Sequence, residues 1–310
     1  MQKLNLIGCG RVGKTLGKLW HDRKVLELQD VLTTAPDTAA NALDFIGAGR
    51  VAANLNEMRP ADLWMLAVPD RLISETAAEL ARSISKTPPG NIPGAVQQPP
   101  IAFHCSGALD INALLPLQNC GWRLASAHCI LSFANPASAV HQFEGTPCSI
   151  EASPEVYGLL EPLFTAIGAR PFALDSGQKM LYHAAAVFAT NFLPVLQGVA
   201  EALWRQSGVP DELASSLRVN LLRNAVENMI KLGPAQALTG PAARGDNGLV
   251  MKQGNALEVW NTESAQAYRA LSVLASQLAH QKGIFGAKQA APVNPKQTSS
   301  GKANPAQTLP

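Results

Sequence analysis

The sequence predicts an α/β domain built on a doubly wound, mostly parallel sheet, followed by an all-α C-terminal domain. Three observations predict it. Through residues 1–175, apolar runs of strand length alternate with amphipathic helical stretches, the pattern of a parallel sheet covered on both faces. Gly8, Gly10 and Gly13 stand where the first strand hands over to the first helix. Beyond Ser176 the strand pattern stops, and apolar residues recur at helical spacing.

Taken in order, "KLNLIG" is a buried strand and 11–22 a helix, then "LQDVLTT" is a strand and 36–47 a helix. A short strand near "RVAAN" precedes the clear strand "DLWMLAVPD" and a helix over about 70–84. "IAFHCSG", a helix near 110–119 and "WRLASAH" continue the alternation. "CSIEA", a helix over 154–168 and "RPFALD" form a further unit able to extend the sheet. The helical part holds segments 176–206, 211–232 and 262–283, with "GVPDE" as a turn and helix start between the first two. Pro194 should kink the first of them, because it removes one backbone hydrogen bond. The expected organisation is therefore 1–175 for the sheet domain, 176–286 for a helical substrate and dimerisation domain, and 287–310 for a tail. That tail is rich in Pro, Gln, Ser and Lys and should be disordered, since it can bury too little to offset ordering entropy. Residues 85–100, "SKTPPGNIPGAVQQPP", should form a long surface loop.

Of the 310 residues, 47% are apolar and 15% charged, and the net charge is +2. A balance that close to neutral argues against nucleic acid or a membrane surface as a partner. No uninterrupted apolar stretch approaches the roughly 20 residues of a membrane span. The N-terminus enters a strand pattern without a signal-peptide cleavage site, so a cytoplasmic location is expected. Cys9, Cys105, Cys120, Cys129 and Cys148 make no CxxC pair. They read as reduced packing thiols, and no metal is expected.

In the glycine loop, Gly8 would permit the tight turn and Gly10 would let the backbone approach a pyrophosphate. Gly13 would let the helix pack on the sheet, with Arg11 and Val12 on its first turn and the helix N-terminus facing the anion. Arg11 could equally be a solvated charge. An NAD-type site usually ends the second strand in a carboxylate that holds the ribose hydroxyls. Thr33 and Thr34 occupy that place here, and two hydroxyls favour NADP over NAD. Asp30 lies too early in the strand for the ribose role, and Asp37 belongs to the next helix.

Ligands of open α/β sheets collect outside the carboxyl ends of the strands. One such end carries Ala67, Val68 and Pro69, a stiff edge suited to lining a nicotinamide. A second carries Ser106 and Gly107, and a third carries His128. His104, inside its strand, reads as a satisfied core imidazole.

"AVPD", "HCSGALD", the strand end at His128, "KMLYHAAAVFATN" and "GPAQALTGPAARGD" occur here in that order. Together they resemble a bacterial family that joins a Rossmann-like domain to a helical domain of unknown function. That family is similar in plan to pyrroline-5-carboxylate reductase, ketopantoate reductase and the β-hydroxyacid dehydrogenases, with 6-phosphogluconate-dehydrogenase-like architecture. The resemblance spans roughly residues 3–285. It departs at His128-Cys129, where the family has His-Pro. It implies a nicotinamide-dependent oxidoreductase without implying a substrate.

The resemblance also bears on Lys179 and His183, two polar residues four apart in the apolar run "GQKMLYHAAAVFATNFL". In the related hydroxyacid dehydrogenases a lysine at this point faces the nicotinamide, with an amide one turn on. Lys179 would be the acid/base, its pKa lowered by desolvation and a cationic neighbour, with His183 assisting and His128 and Ser106 beside it. The alternative is a solvated charge at the domain junction. Thr190 shares the stripe of Lys179 on a straight helix, whereas Asn191, a candidate for substrate binding, lies about 120° round. Arg244 offers a fork for a substrate carboxylate, with Asp246 holding it or capping the next helix. The expected partners are a small carboxylate-bearing substrate and a second copy of the chain in a homodimer. A non-catalytic nucleotide sensor and a thiol-dependent enzyme using Cys105 or Cys129 are the rival readings.

Overall fold

Successive strand residues point to opposite faces of a sheet, and here both faces are apolar. Leu4, Leu6, Met65 and Phe103 belong to one buried layer, and Ile7, Trp64, Leu66 and Ala102 to the other. A sheet apolar on both sides must be covered on both sides, which is what helical crossovers between parallel strands provide.

The computed structural model describes residues 1–85, 98–281 and 283–285. Most of the expected 85–100 loop and all of the expected 287–310 tail lie outside the described residues. The chain runs β1 (Gln2–Ile7), α1 (Arg11–Asp22), β2 (Leu26–Leu32), α2 (Pro36–Ile46), β3 (Arg50–Val51), β4 (Leu63–Leu66) and α3 (Asp70–Ser85). It continues through β5 (Ile101–His104), α4 (Leu115–Gln118), β6 (Arg123–Cys129), α5 (Pro136–Gln142), β7 (Pro147–Ala152), α6 (Pro154–Thr165) and β8 (Arg170–Ala173). Helices follow: α7 (Lys179–Ala186), α8 (Phe192–Gln206), α9 (Asp211–Leu232), α10 (Pro234–Ala237), α11 (Pro241–Arg244), α12 (Asn247–Trp260) and α13 (Thr262–Ala279). Helix α5 had no counterpart in the pattern reading, although Asn135 caps it by accepting from Ser138 N at 3.1 Å and Pro136 opens it.

Among the described residues the strands form one sheet in the order β3-β2-β1-β4-β5-β6-β7-β8. Neighbours are parallel except β6 and β7, which run antiparallel. The order reverses between β1 and β4, the topological switch point at which such sheets bind ligands. Trp20 of α1 fixes one helical layer: its Nε1 donates to Leu163 O at 3.0 Å, and its ring packs edge-on against Phe103 and Phe164.

The sheet edge beyond β2 is held by a polar network around Asp30, which is fully buried. Its carboxylate accepts from Arg50 Nε at 2.9 Å, Arg59 Nη2 at 2.7 Å and Arg59 N at 2.7 Å. Its backbone N–H donates to Asn5 Oδ1 at 3.1 Å, beside a register shift between Leu4 and Asn5. Burial opposes the charge of Asp30, but the two guanidiniums hold its carboxyl below the usual range. The residue is therefore committed to structure and unavailable to a ribose.

The chain divides into two compact units, Met1–Leu193 and Pro194–Pro310. By its contacts α7 belongs to the unit that contains the sheet. Between α7 and α8 the backbone widens into a π-helical turn over Val187–Asn191. Pro194 cannot donate to the carbonyl four residues back, and the irregularity expected at the proline takes this form just ahead of it. The helical run Ser176–Gln206 is, at 31 residues, long and apolar enough by composition to cross a membrane. The run is interrupted by Lys179, which is buried against the strands.

In the second unit α12 and α13 pack against each other. Arg269 bridges them by donating to Glu258 at 2.6 Å and to Gly254 O at 3.3 Å. Ala214, Gly254 and Ala265 are its buried residues among those described.

Candidate active site at the carboxyl ends of the strands

The three glycines of the first turn meet different constraints. Gly8 has φ +79°, and a Cβ there would lie 2.7 Å from Ala67 O. Neither the backbone nor the space tolerates a side chain. At Gly13 a Cβ would lie 3.1 Å from Gly8 O, so the helix sits tight on the turn. Gly10 is the opposite: a Cβ would meet nothing within 4 Å. It precedes α1, whose first turn has no side-chain cap and no acidic residue. Uncapped N–H groups facing open space at the switch point make a place where an anionic group can approach the backbone. Ala67 N donates to Ile7 O at 2.8 Å, and Leu72 N to Pro69 O at 2.8 Å, so the 67–69 edge is pinned beside this turn. Arg11 is exposed, and Val12 packs against the core.

At the end of β5, His104 is fully buried. Its Nδ1 accepts from Ser106 N at 3.2 Å, and its Nε2 lies 3.0 Å from Asp110 O. Those partners require a neutral ring protonated on Nε2, and burial lowers its pKa to about 4. Ser106 is taken up by the loop that follows. Its hydroxyl donates to Asp70 at 2.8 Å and accepts from Ala108 N at 3.2 Å and Leu109 N at 3.0 Å.

Lys179, Tyr182 and His183 are spaced i, i+3, i+4 and share one face of α7. Lys179 is 1% exposed. Its Nζ donates to Ser106 O at 3.2 Å and Ser126 Oγ at 2.5 Å, and lies 3.6 Å from Glu151 Oε2. Ser126 and Glu151 are cross-strand partners of the antiparallel pair β6–β7, which is why both face the ammonium. Glu151 Oε1 in turn accepts from Ser176 Oγ and from Ile111 N at 3.2 Å. Burial lowers the pKa of Lys179, and Glu151 opposes that shift. Of the two causes read from sequence, desolvation is the one that acts, and a cationic histidine neighbour is not among those that move it. The amine has three partners and almost no exposure, so it faces β6, β7 and the loop after β5 rather than open space.

His128 ends β6 two residues past Ser126, on the same face of the sheet. Its Nδ1 lies 3.3 Å from Tyr182 Oη, and the two rings meet edge-on. Burial, followed by the nearby His183 and Lys179, lowers its pKa to about 4. Burial raises Tyr182 to about 12. The His128 and His183 ring centroids are 6.0 Å apart. Gly107 lies between them: a Cβ there would fall 2.7 Å from His183 Nδ1 and 2.9 Å from His128 Nε2. His183 Nδ1 is buried without a hydrogen-bond partner.

The structure thus brings together Ser106, His128, Lys179 and His183, and adds Glu151, Ser126, Tyr182 and Asp70, which sequence reasoning did not single out. Lys179-x-x-Tyr182-His183 could have revealed Tyr182 by helical spacing. Glu151 could not be found that way, because its place depends on strand register. Thr33 donates its hydroxyl to Ala35 O at 2.7 Å, while Thr34 is exposed at the end of β2. Asn191 is exposed and bonded by the Thr190 hydroxyl at 2.9 Å. In the second unit Arg244 is exposed, and Asp246 caps α12 by accepting from Leu249 N at 3.0 Å. Burial pushes the thiols of Cys105 and Cys129 up, away from the reactive thiolate.

Replacing Lys179 with Met should destabilise the protein by roughly 3–5 kcal/mol, because Glu151 is left charged and buried. Adding Glu151→Gln should recover much of that loss, so that the double variant is more stable than the single one in urea denaturation. A loss below about 1 kcal/mol for Lys179→Met would contradict the ion pair as described. A second expectation concerns pH. His104 and His128 stay neutral in the folded chain down to about pH 4, whereas in the unfolded chain they bind protons below about 6.5. Their contribution is complete above 6.5 and is lost as pH falls toward 4. At pH 5 each should cost on the order of 2 kcal/mol relative to pH 7.5. Urea midpoints measured across this range should fall with a slope approaching two protons.

Residues 146–274 match the profile of a domain of unknown function, DUF2520, which begins at β7 and includes Glu151, Lys179 and His183. No curated protein sequence matches the chain. Among solved structures it is similar to a protein from Thermotoga maritima, with TM-score 0.67 and 23% identity over 90% of this chain and 98% of that one. An imine reductase from Myxococcus stipitatus in complex with NADP+ gives TM-score 0.57 and 16% identity over 90% and 93%. Pyrroline-5-carboxylate reductase from Coxiella burnetii gives 0.52 and 16% over 90% and 98%. These likenesses establish the fold as a Rossmann-like, mostly parallel sheet followed by a helical C-terminal region.

Proposed function

We propose that the protein is an NAD(P)-dependent oxidoreductase, with NADP preferred, that reduces or oxidises a C=O or C=N carbon of a small carboxylate-bearing substrate. The observation that carries this reading is the open space at Gly10, above an uncapped helix N-terminus at the switch point of the sheet. A Cβ would fill the space through which a pyrophosphate reaches the backbone. Similarity in fold to reductases whose structures hold NADP supports the same reading. When bound, a nicotinamide dinucleotide supplies or accepts the hydride. The residues that would hold it are Gly8, Gly10, Arg11, Val12 and Gly13 and the edge Ala67, Val68 and Pro69; the Ser106 hydroxyl is already taken by Asp70 and the 108–109 backbone. Thr34, exposed at the end of β2, suits a 2′-phosphate, whereas the Thr33 hydroxyl already donates to Ala35 O. Asp30, the nearest acid in the strand, is consumed by Arg50 and Arg59. Arg244, exposed on its short helix, suits a substrate carboxylate, and Asn191 suits a substrate hydrogen bond.

Gly10→Ala gives a sharp test. Nothing lies within 4 Å of the added Cβ in the protein itself, so the melting temperature should hold within about 2 °C. NADPH affinity, followed by fluorescence titration, should fall at least tenfold. Unchanged affinity would remove the nucleotide reading. Binding by the native chain without turnover across a panel of oxo and imino acids would favour the sensor reading.

We also propose that the chain forms a homodimer through its helical unit. Val219, Ile230 and Leu232 on α9, Met251 and Val259 on α12, and Val273 on α13 are large apolar side chains left exposed in the single chain. Surface of that extent is characteristic of an interface. Sedimentation equilibrium should give twice the chain mass, 65.6 kDa against the monomer's 32.8 kDa, and a monomer at micromolar concentration would overturn the proposal.

A further inference from the structure

Tyr182 shares the face of α7 that carries Lys179 and His183, and its hydroxyl reaches a strand. Oη lies 3.3 Å from His128 Nδ1. His128, Ser149 and Phe172 are register partners on β6, β7 and β8, and the Tyr182 ring contacts the outer two. It meets His128 edge-on with centroids 5.7 Å apart, and Phe172 edge-on at 6.0 Å. Lys179, one turn earlier, fixes the helix against β6 and β7 through Ser126 and Glu151. The phenol is therefore delivered to one nitrogen of one imidazole.

Burial keeps His128 neutral, lowering its pKa to about 4, and keeps the phenol protonated, raising Tyr182 to about 12. A neutral imidazole has one N–H and one bare nitrogen, and the hydrogen bond made at one of them decides which is which. The phenol is the more acidic donor and the bare ring nitrogen the stronger acceptor, so the bond runs from Tyr182 Oη–H to His128 Nδ1. The ring proton is then on Nε2. That nitrogen has no hydrogen-bond partner among the described residues, and unlike His183 Nδ1 it is not sealed from solvent. The Cε1–Nε2 edge of the ring rests on Gly107, where a Cβ would fall 2.8 Å from Cε1, so the ring is held on that side by contact.

We propose that Tyr182 is a positioning residue that holds His128 in the Nε2–H tautomer, and that this N–H meets the carbonyl oxygen of a keto or aldehyde substrate. The proposal rests on the oxidoreductase reading and narrows its substrate. An N–H donor pairs with a carbonyl oxygen, which has lone pairs, and is mismatched to a protonated imine, whose nitrogen is itself a donor. In the direction of reduction, hydride from a reduced nicotinamide forms the new C–H bond, and the C=O π pair moves to oxygen. The hydrogen bond from Nε2 strengthens as that oxygen gains charge. The alkoxide takes its proton from water, and the hydroxide leaves to solvent. Lys179 touches no substrate: with three partners and 1% exposure, it holds the helix that carries Tyr182.

The test uses the full-length protein. Nitrogen-15 histidine NMR without cofactor should show His128 protonated on Nε2, and Tyr182→Phe should shift its Nδ1 signal and lower the Nε2–H fraction. A proton on Nδ1 in the native chain, or no response to Tyr182→Phe, would overturn the tautomer. NADPH affinity should be the same in Tyr182→Phe as in the native chain. Failure of the native chain to bind NADPH would instead sink the oxidoreductase reading, and the substrate assignment with it, while the NMR result judges the tautomer by itself. Across a panel of oxo acids and cyclic imino acids, the native protein should oxidise NADPH with an oxo acid; turnover of imino acids alone would overturn the substrate class. With the best oxo acid, His128→Leu should lower kcat at least about a hundredfold. Tyr182→Phe should lower it about tenfold, with KM within about threefold. His128→Gln keeps an N–H donor and has no tautomers, so it should retain more activity than His128→Leu. Adding Tyr182→Phe to His128→Gln should then cost less than about twofold. A full tenfold loss in that background would reduce Tyr182 to structural support, and native kcat in His128→Leu would overturn the donor.

Discussion

One buried ion pair sets the geometry of the candidate site. Lys179 stands at the start of α7, where the helix dipole disfavours a cation, and it is nearly without exposure. It is held there by Glu151 at 3.6 Å, with Ser126 Oγ and Ser106 O taking its other hydrogens. Those partners come from the loop after β5, the middle of β6 and β7. A single ammonium therefore fixes the first helix after the sheet against three strands at once. Because Tyr182 and His183 lie one turn further along the same face, their positions follow from that anchor. The imidazole of His128 has its place from the strand that also carries Ser126.

The site combines saturated and unsaturated polar groups, and the contrast separates scaffold from chemistry. Asp30, His104, Ser106 and Lys179 each have partners for what they can donate or accept, and each holds a loop, strand or helix in place. The backbone above Gly10 is open, and Ser149 Oγ, Glu151 Oε2 and His183 Nδ1 are buried without a hydrogen-bond partner. Buried polar groups are costly when left unpaired, so exceptions clustered at the carboxyl ends of parallel strands mark where a ligand belongs. Gly10 leaves room beside the helix N-terminus, and Gly107 lets two imidazoles approach the same point.

Much of the fold was legible because its signals are local. Helices 11–22 and 211–232 end where their patterns end, and the strand–glycine–helix order around Gly8 identifies the first crossover without tertiary information. The antiparallel turn of β7 against β6 was not legible, since either direction suits an apolar run of that length. That turn decides the site: it puts Glu151 opposite Ser126 and Ser149 opposite His128. The π turn before Pro194 changes the phase of the helix, so the angular position of Asn191 calculated for a straight helix does not carry over.

From sequence alone, periodicity and the glycine spacing determined the doubly wound sheet, the helical second half and the presence of a polar pair in an apolar helix. Those properties depend on residues within a few positions of one another. Only the tertiary structure decided which of that pair is buried, because solvent exposure depends on residues 53 and 73 positions away, at Ser126 and Ser106. The lysine, chosen from its chemistry as the group to face a substrate, is enclosed by β6, β7 and the loop after β5, and the histidine beside it keeps an unpartnered nitrogen.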